Sequence, residues 1–347
     1  MDNNWHNFLH QQGTCLRTDG DIETTEIPTG SITCMTNLGQ FSSLALAGAD
    51  ARKFLQGQCS SNINHLTPTA GQSSCCCTPK GHVIANFDLL DHNEILYIHL
   101  YHDLLQPLKQ HLSKYIIFSK ATLADASNQW IKIGVWGPKA QTAVNLIATP
   151  PQNKLGVTPF ANGMLVATSA SADQFMLWCK PSHAEAIWRT LSQHAQITDN
   201  QQWMLTQIRQ ALPWLSNQLS NKYVPQMLNL QATGAVDFNK GCYTGQEIVA
   251  RMQYLGKLKR HLFLGHVRNK LMPAVGTGLD SPKRRNIGRI VNIAPTSKAA
   301  EFLILAVINK AETLVDTINL HSHPNAIFTI LSLPYTIDPQ VFERVRI

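Results

Sequence analysis

The stretch Lys240-Gly241-Cys242-Tyr243-Thr244-Gly245-Gln246-Glu247 sets a cysteine, flanked by a lysine and two glycines, just ahead of a marked helix start. Thr244 and Glu247 have the spacing of a capping box, and Tyr243 and Ile248 that of a hydrophobic staple. Helix formation accounts for those four residues and asks nothing of Cys242. A thiol two residues before the cap would sit near the partial positive end of the helix dipole, with Lys240 close by. Both effects favour thiolate, which makes Cys242 the candidate reactive or metal-binding group. The alternative is a half-buried cysteine that only fills space, a common use of free cysteine.

The chain of 347 residues is long for one domain, and its 44% hydrophobic content is enough to bury real cores. The start, Met1-Asp2-Asn3-Asn4-Trp5-His6, has neither the basic nor the apolar region of a signal peptide. Apolar runs such as 302–308 fall far short of a membrane span, so no membrane partner is expected. Cys15, Cys34, Cys59, Cys75, Cys76, Cys77, Cys179 and Cys242 lack a secretory pairing pattern, and the setting reads as cytoplasmic and reducing. Cys75-Cys76-Cys77 has no metal-site spacing, and adjacent strand residues point to opposite faces. These three read as small buried residues, and no metal site is expected.

A net charge of +7 makes an anionic partner plausible, either nucleic acid or a polyanionic small molecule. The basic residues gather late. Arg251, Lys257, Lys259, Arg260 and His261 form one group, and Lys283, Arg284, Arg285 and Arg289 another. No RNA-binding signature accompanies them, and a solvated basic surface is the favoured reading of each group over a dedicated nucleic-acid site.

Residues 40–125 alternate strand-like and helix-like segments. Phe41–Ala47 reads as a strand, 49–58 as a short helix, 83–90 and 94–100 as a hairpin, and 103–115 as a helix. A similar mixture follows at 130–198, and from Arg260 onward short strands dominate, which suggests a terminal all-β module. The fold class expected is α+β with three domains, at 1–125, 126–255 and 256–347.

Two aromatic residues are left over by this pattern. The segment 199–212 reads as a helix capped by Asp199, with Met204, Leu205, Ile208, Ala211 and Leu212 as its apolar stripe. Trp203 falls off that stripe, on the flank with Gln207 and Gln210. In the strand Phe41–Ala47, Leu44 and Leu46 share one face while Phe41 points with Ser43 and Ala45 to the other. Both rings are placed either to stack on a flat heterocycle or to pack beneath a neighbouring domain.

The motif and its surroundings resemble the YgfZ family, folate-binding relatives of the glycine-cleavage aminomethyltransferase, the T-protein. The resemblance is carried by Trp203, Ala211-Leu212-Pro213, Tyr223-Val224-Pro225-Gln226, Asn229-Leu230-Gln231-Ala232 and residues 240–251. Earlier in the chain, Gly48-Ala49-Asp50, Phe54-Leu55-Gln56-Gly57-Gln58 and the Pro79-Lys80-Gly81 turn also match. It spans roughly residues 35–335. The resemblance implies a T-protein-like cloverleaf of two ferredoxin-like α+β domains and a small C-terminal β-barrel around a central channel that holds tetrahydrofolate. It implies that Phe41, at a position commonly tryptophan, and Trp203 stack on the pterin. The folate glutamate tail would seek a cation, for which Lys80, Lys240 and Arg251 are the candidates. Two departures from the transferase argue against aminomethyl transfer. Its catalytic aspartate corresponds to Ala85 or Asn86, neither of which can move a proton as a carboxylate does. Its pterin-anchoring glutamate falls near Met176.

The resemblance implies a tetrahydrofolate-dependent accessory factor, more a binding protein than an enzyme. It would support iron–sulfur cluster assembly or repair, and through it tRNA modification, with Cys242 as the working thiol. Its partners would be folate and iron–sulfur proteins or assembly factors, with tRNA involved indirectly. A folate-dependent one-carbon transferase is the alternative, with Asp88 and His82 as nearby proton-transfer groups. Direct tRNA binding through the late basic groups is a third.

Overall fold

The computed structural model describes residues 3–12, 14–16, 22–23, 28, 32–254, 258–313, 317–321 and 323–337; Lys257 of the first basic group lies outside them. The first sheet is antiparallel, in the order Gln72–Cys77, Val83–His92, Ile95–Tyr101, Phe41–Ala47, Thr122–Asp125. Its central hairpin turns through Asn93 and Glu94, both at positive φ (53° and 63°), the conformation that matches strand twist in a two-residue loop. Helices Ala51–Gln56 and Leu105–Ser113 bury Phe54, Leu55, Leu108 and Leu112 in the core of this sheet. The strand Phe41–Ala47 is buried on both faces, because the segment 203–236 covers the face that carries Phe41 and Ser43.

The second sheet runs Val157–Phe160, Gly163–Ala167, Gln174–Cys179, Ile131–Trp136, Cys34–Asn37, Gln196–Ile197, antiparallel except for its last pair. The strand Cys34–Asn37 therefore pairs away from Phe41–Ala47, the strand that follows it in sequence. The helix Asn3–Gln11 joins the same core, with Trp5 edge-on to Trp188 at 5.5 Å.

The third unit is a closed six-stranded barrel, in the order Arg260–Arg268, Glu301–Asn309, Arg284–Pro295, Gly278–Ser281, Ile318–Leu320, His323–Leu331. The first and last strands pair from Leu264 to Leu331, so no hydrogen-bonding edge is left open. A register shift between Ile290 and Asn292 breaks the inside–outside alternation there. Residues 210–245 are largely irregular and tie the three units together.

Among the described residues, no helix is long and apolar enough to cross a membrane.

Candidate functional site: an aromatic cavity and an exposed thiol

The helix Asn200–Arg209 begins where expected, with the Asp199 carboxylate accepting from the Gln202 N–H at 3.1 Å. It stops short of the expected end because Ala211 turns at φ 51° and Pro213 cannot continue the ladder. Its flank carries Trp203 and Gln207 into a cavity shared with Phe41 and His99 of the first sheet and Met176 of the second. Trp203 is 2% exposed and seated on Gly134, where a Cβ would come within 2.6 Å of the indole. Only glycine leaves room for that ring. Phe41 is 5% exposed and already touched by His99 at 4.6 Å and Trp214 at 4.8 Å. Both rings line the cavity, yet neither presents an open face. The space left between them is narrow, about 40 Å³.

Trp214 owes its place to two asparagines. Asn86 Nδ2 donates to the Pro213 carbonyl at 2.7 Å, and its Oδ1 accepts from the Leu215 N–H at 3.0 Å. Asn292 accepts from the Trp214 N–H at 2.9 Å and donates to its carbonyl at 2.8 Å. Asn292 stands at the register shift in the barrel strand, which aims its amide at the Trp214 backbone. The indole N–H reaches Gln207 Oε1 at 3.3 Å.

Two polar groups on the cavity wall are buried without a hydrogen-bond partner, Gln207 Nε2 and His99 Nδ1. Burial, and then the nearby Lys132 cation, hold the His99 imidazole well below its usual pKa. Lys132 itself is buried, donates to the Phe41 carbonyl at 3.0 Å, and is pushed down to about 7 by desolvation. Asp88 also lines the cavity. It accepts from Ser73 Oγ at 2.6 Å, and burial raises its pKa against the opposing effects of Ser73 and Lys154. His82 is not among the lining residues.

The 240–247 segment differs from expectation in three ways. The helix starts at Gln246, so Thr244 is not its cap; the Thr244 hydroxyl instead faces Gln58 Oε1 at 3.4 Å. Gly245, at φ 85°, lies where a Cβ would come within 2.4 Å of the Thr78 carbonyl. That approach locks the segment against the 78–81 turn, whose Gly81 in turn packs on Ile248. Cys242 therefore lies three residues, not two, before the cap position. Lys240, expected beside the thiol or at the folate tail, is buried. Its ammonium donates to the carbonyls of Gln56 at 2.7 Å, Ser61 at 2.9 Å, and Cys59. Three acceptors use all three of its protons.

Cys242 is exposed, whereas Cys34, Cys59, Cys75, Cys76, Cys77 and Cys179 are buried. It is not among the residues lining the aromatic cavity, so the thiol and the two rings form separate sites. Lys80 and Arg251 are likewise exposed and outside the cavity. Lys80 shares the turn that interlocks with the Cys242 segment, and Arg251 lies on the helix Gln246–Tyr254. The buried thiols pair closely, Cys59 with Cys76 and Cys75 with Cys77, each at 3.9 Å. Among the described residues no group of three side chains is placed to hold a metal ion.

Sequence reasoning missed Trp214, His99 and Asn292. His99 was within reach. It pairs with Ser43 as Tyr101 pairs with Phe41, so strand alternation puts it on the face of Phe41. Asn292 was not, since a bulge decides where it points.

No protein-family model matches the chain. It is 30% identical over 309 residues to the tRNA-modifying protein YgfZ of Yersinia pseudotuberculosis serotype O:1b, covering 87% of this chain and 92% of that protein. It is 29% identical over 320 residues to the protein of the same name from Yersinia enterocolitica, covering 91% and 95%. In three dimensions it is similar to the glycine cleavage system aminomethyltransferase T from Bartonella henselae, with a TM-score of 0.75 at 12% identity, over 94% of this chain and 96% of that one. Two α+β sheet units and a closed barrel are thus arranged as in that T-protein fold, and the chain belongs to the YgfZ family.

Proposed function

We propose that this chain is a tetrahydrofolate-binding accessory factor in tRNA modification, acting through iron–sulfur cluster assembly or repair with Cys242 as its working thiol. The tRNA role is supported by kinship with proteins named for it. The observation that carries folate binding is the aromatic cavity: Phe41 and Trp203 flank a slot whose wall holds the unpartnered Gln207 Nε2 and His99 Nδ1. A reduced pterin is flat and has donors and acceptors along its edge, which suits rings for its faces and those two groups for its edge. A bicyclic ring enters only if the slot widens. The Trp214 indole, held at its N–H by a single bond to Gln207, is the group whose rotation uncovers Phe41.

One exposed thiol cannot hold a cluster alone, since four cysteine ligands are usual. Cys242 would instead form a mixed disulfide or share a cluster with a partner protein. Lys80 and Arg251 give its neighbourhood positive charge, suited to an acidic partner surface.

The test has two arms. Calorimetric titration with tetrahydrofolate should show binding that weakens by about tenfold in Trp203→Ala if stacking is worth the upper part of its range; no binding to the unaltered protein removes the folate half. Cys242→Ser should keep its stability and folate affinity yet fail to complement a strain lacking its own copy. Full rescue defeats the thiol assignment.

Asp88 favours a second reading, folate-dependent one-carbon transfer. A carboxyl with a raised pKa in the cavity wall is suited to exchanging a proton with a bound cofactor. Turnover of methylene-tetrahydrofolate with an amine acceptor, lost in Asp88→Asn, would establish it.

A further inference from the structure

A second cavity adjoins the first along the helix Asn200–Arg209. Trp203 and Gln207 face the inner cavity, while Thr206, Arg209 and Gln210 face the outer one. Lys154 lines both. The outer cavity is far roomier, about 520 Å³, and open to solvent. Its walls are braced by Gln210 donating to Gln174 at 2.6 Å and by the Tyr335 hydroxyl donating to the Ala211 carbonyl at 3.1 Å.

Among the described residues, Lys154 and Arg209 make no hydrogen bond or ion pair of their own. Burial lowers the Lys154 pKa and Asp88 opposes that shift through space, while burial raises the pKa of the carboxyl itself. The one acidic residue lining the outer cavity is Asp173, whose Oδ1 accepts from the hydroxyls of Ser169 at 2.6 Å and Ser171 at 2.7 Å. Two basic side chains without a hydrogen-bond or ion-pair partner thus line the outer cavity, Lys154 where it meets the aromatic slot. The cations first considered for the tail are elsewhere: Lys240 is bound to three carbonyls, and Lys80 and Arg251 line neither cavity.

We propose that Lys154 and Arg209 bind the γ-glutamyl tail of a polyglutamylated folate, so that the preferred ligand is the polyglutamate and not the monoglutamate. The inference rests on the folate reading above. Each added γ-glutamyl residue brings one further carboxylate, and the outer cavity is wide enough for an extended anionic chain. Lys154, at the junction, meets the first carboxylates, and Arg209 meets those beyond.

Calorimetric titrations with tetrahydrofolate monoglutamate and triglutamate decide the matter. The triglutamate should bind the unaltered protein about three- to tenfold more tightly, the gain expected from one or two partly exposed ion pairs, and the ratio should fall as salt is raised. In Arg209→Gln, where an exposed side chain is changed and folding is not at risk, the ratio should drop. In Lys154→Gln/Arg209→Gln it should approach one, with thermal unfolding showing that both variants fold. Equal affinity for the two ligands in the unaltered protein overturns the tail site and leaves the folate reading standing. An unchanged ratio in the double variant overturns the assignment to these residues. Binding of neither ligand overturns both readings.

Discussion

Asn86 of the first sheet and Asn292 of the barrel grip the same tripeptide, Pro213-Trp214-Leu215, through four side-chain-to-backbone hydrogen bonds. Each amide takes one backbone N–H and one backbone carbonyl, as a paired strand would. The segment between them has no ladder of its own, so these side chains satisfy its buried polar groups. The result is an indole placed across Phe41 by two separate units of the fold. Asn86 has a structural task that a carboxylate could not take over, because a carboxylate cannot donate to the Pro213 carbonyl.

Asn86→Ala and Asn292→Ala should each destabilise the protein by about 2–4 kcal/mol, since each leaves two buried backbone groups unsatisfied. The two losses should not add. Once one grip is released the tripeptide relaxes, and a coupling of about 1 kcal/mol or more is expected between residues that share a partner. Urea unfolding of the two single variants and the double variant measures this. Strict additivity would show that the grips act independently.

Lys240→Met should be destabilising by about 3 kcal/mol or more, because it strands the carbonyls of Gln56, Cys59 and Ser61. Unfolding by denaturant reads the loss. If the variant is as stable as the parent, the lysine is not a clamp.

Lys132 gives the protein a pH signature. Its pKa is about 7 in the folded state against an ordinary value of 10.5, chiefly from desolvation, with Asp125 opposing. Between those values the unfolded chain binds more protons than the folded one. Stability therefore rises with pH across that window, by at most about 1.4 kcal/mol per unit. Lys132→Met removes the titrating group. Subtracting its stability from that of the parent at each pH should leave a difference that climbs from about pH 7 to about 10 and is level below 7. A flat difference throughout would show that the amine is hydrated.

Thiol labelling should single out Cys242. Cys34 and Cys179 are pushed up by burial to about 11 and about 12. Cys76 and Cys77 are raised by hydrogen bonds to Cys59 and Cys75, and then by burial. Brief treatment with iodoacetamide at neutral pH, followed by peptide mass mapping, should find Cys242 modified and these four not. Labelling of Cys75–Cys77 at a comparable rate would mean that the first sheet opens readily.

Several elements were legible from local rules. The strand Phe41–Ala47, the hairpin that follows, the cap at Asp199 and the terminal run of strands rest on alternation, turn chemistry and capping, which act over a few residues. The flank position of Trp203 came from helical periodicity, and its helix does carry it to the cavity. The helix start after Cys242 was misplaced, because the spacing of Thr244 and Glu247 satisfies a local rule that a distant contact overrides. Gly245 must fit against the Thr78 carbonyl, and only glycine takes that backbone there.

By itself the sequence determined the element types, the kinship with the YgfZ family and the one cysteine set apart by its motif, since these depend on neighbours along the chain. Tertiary structure alone decided that Cys242 and the ring-lined slot are different places, that Lys240 is bound to three carbonyls, and that Lys154 and Arg209 line one cavity. Those outcomes depend on which segments meet across the three units, and on which polar groups find partners there once water is excluded.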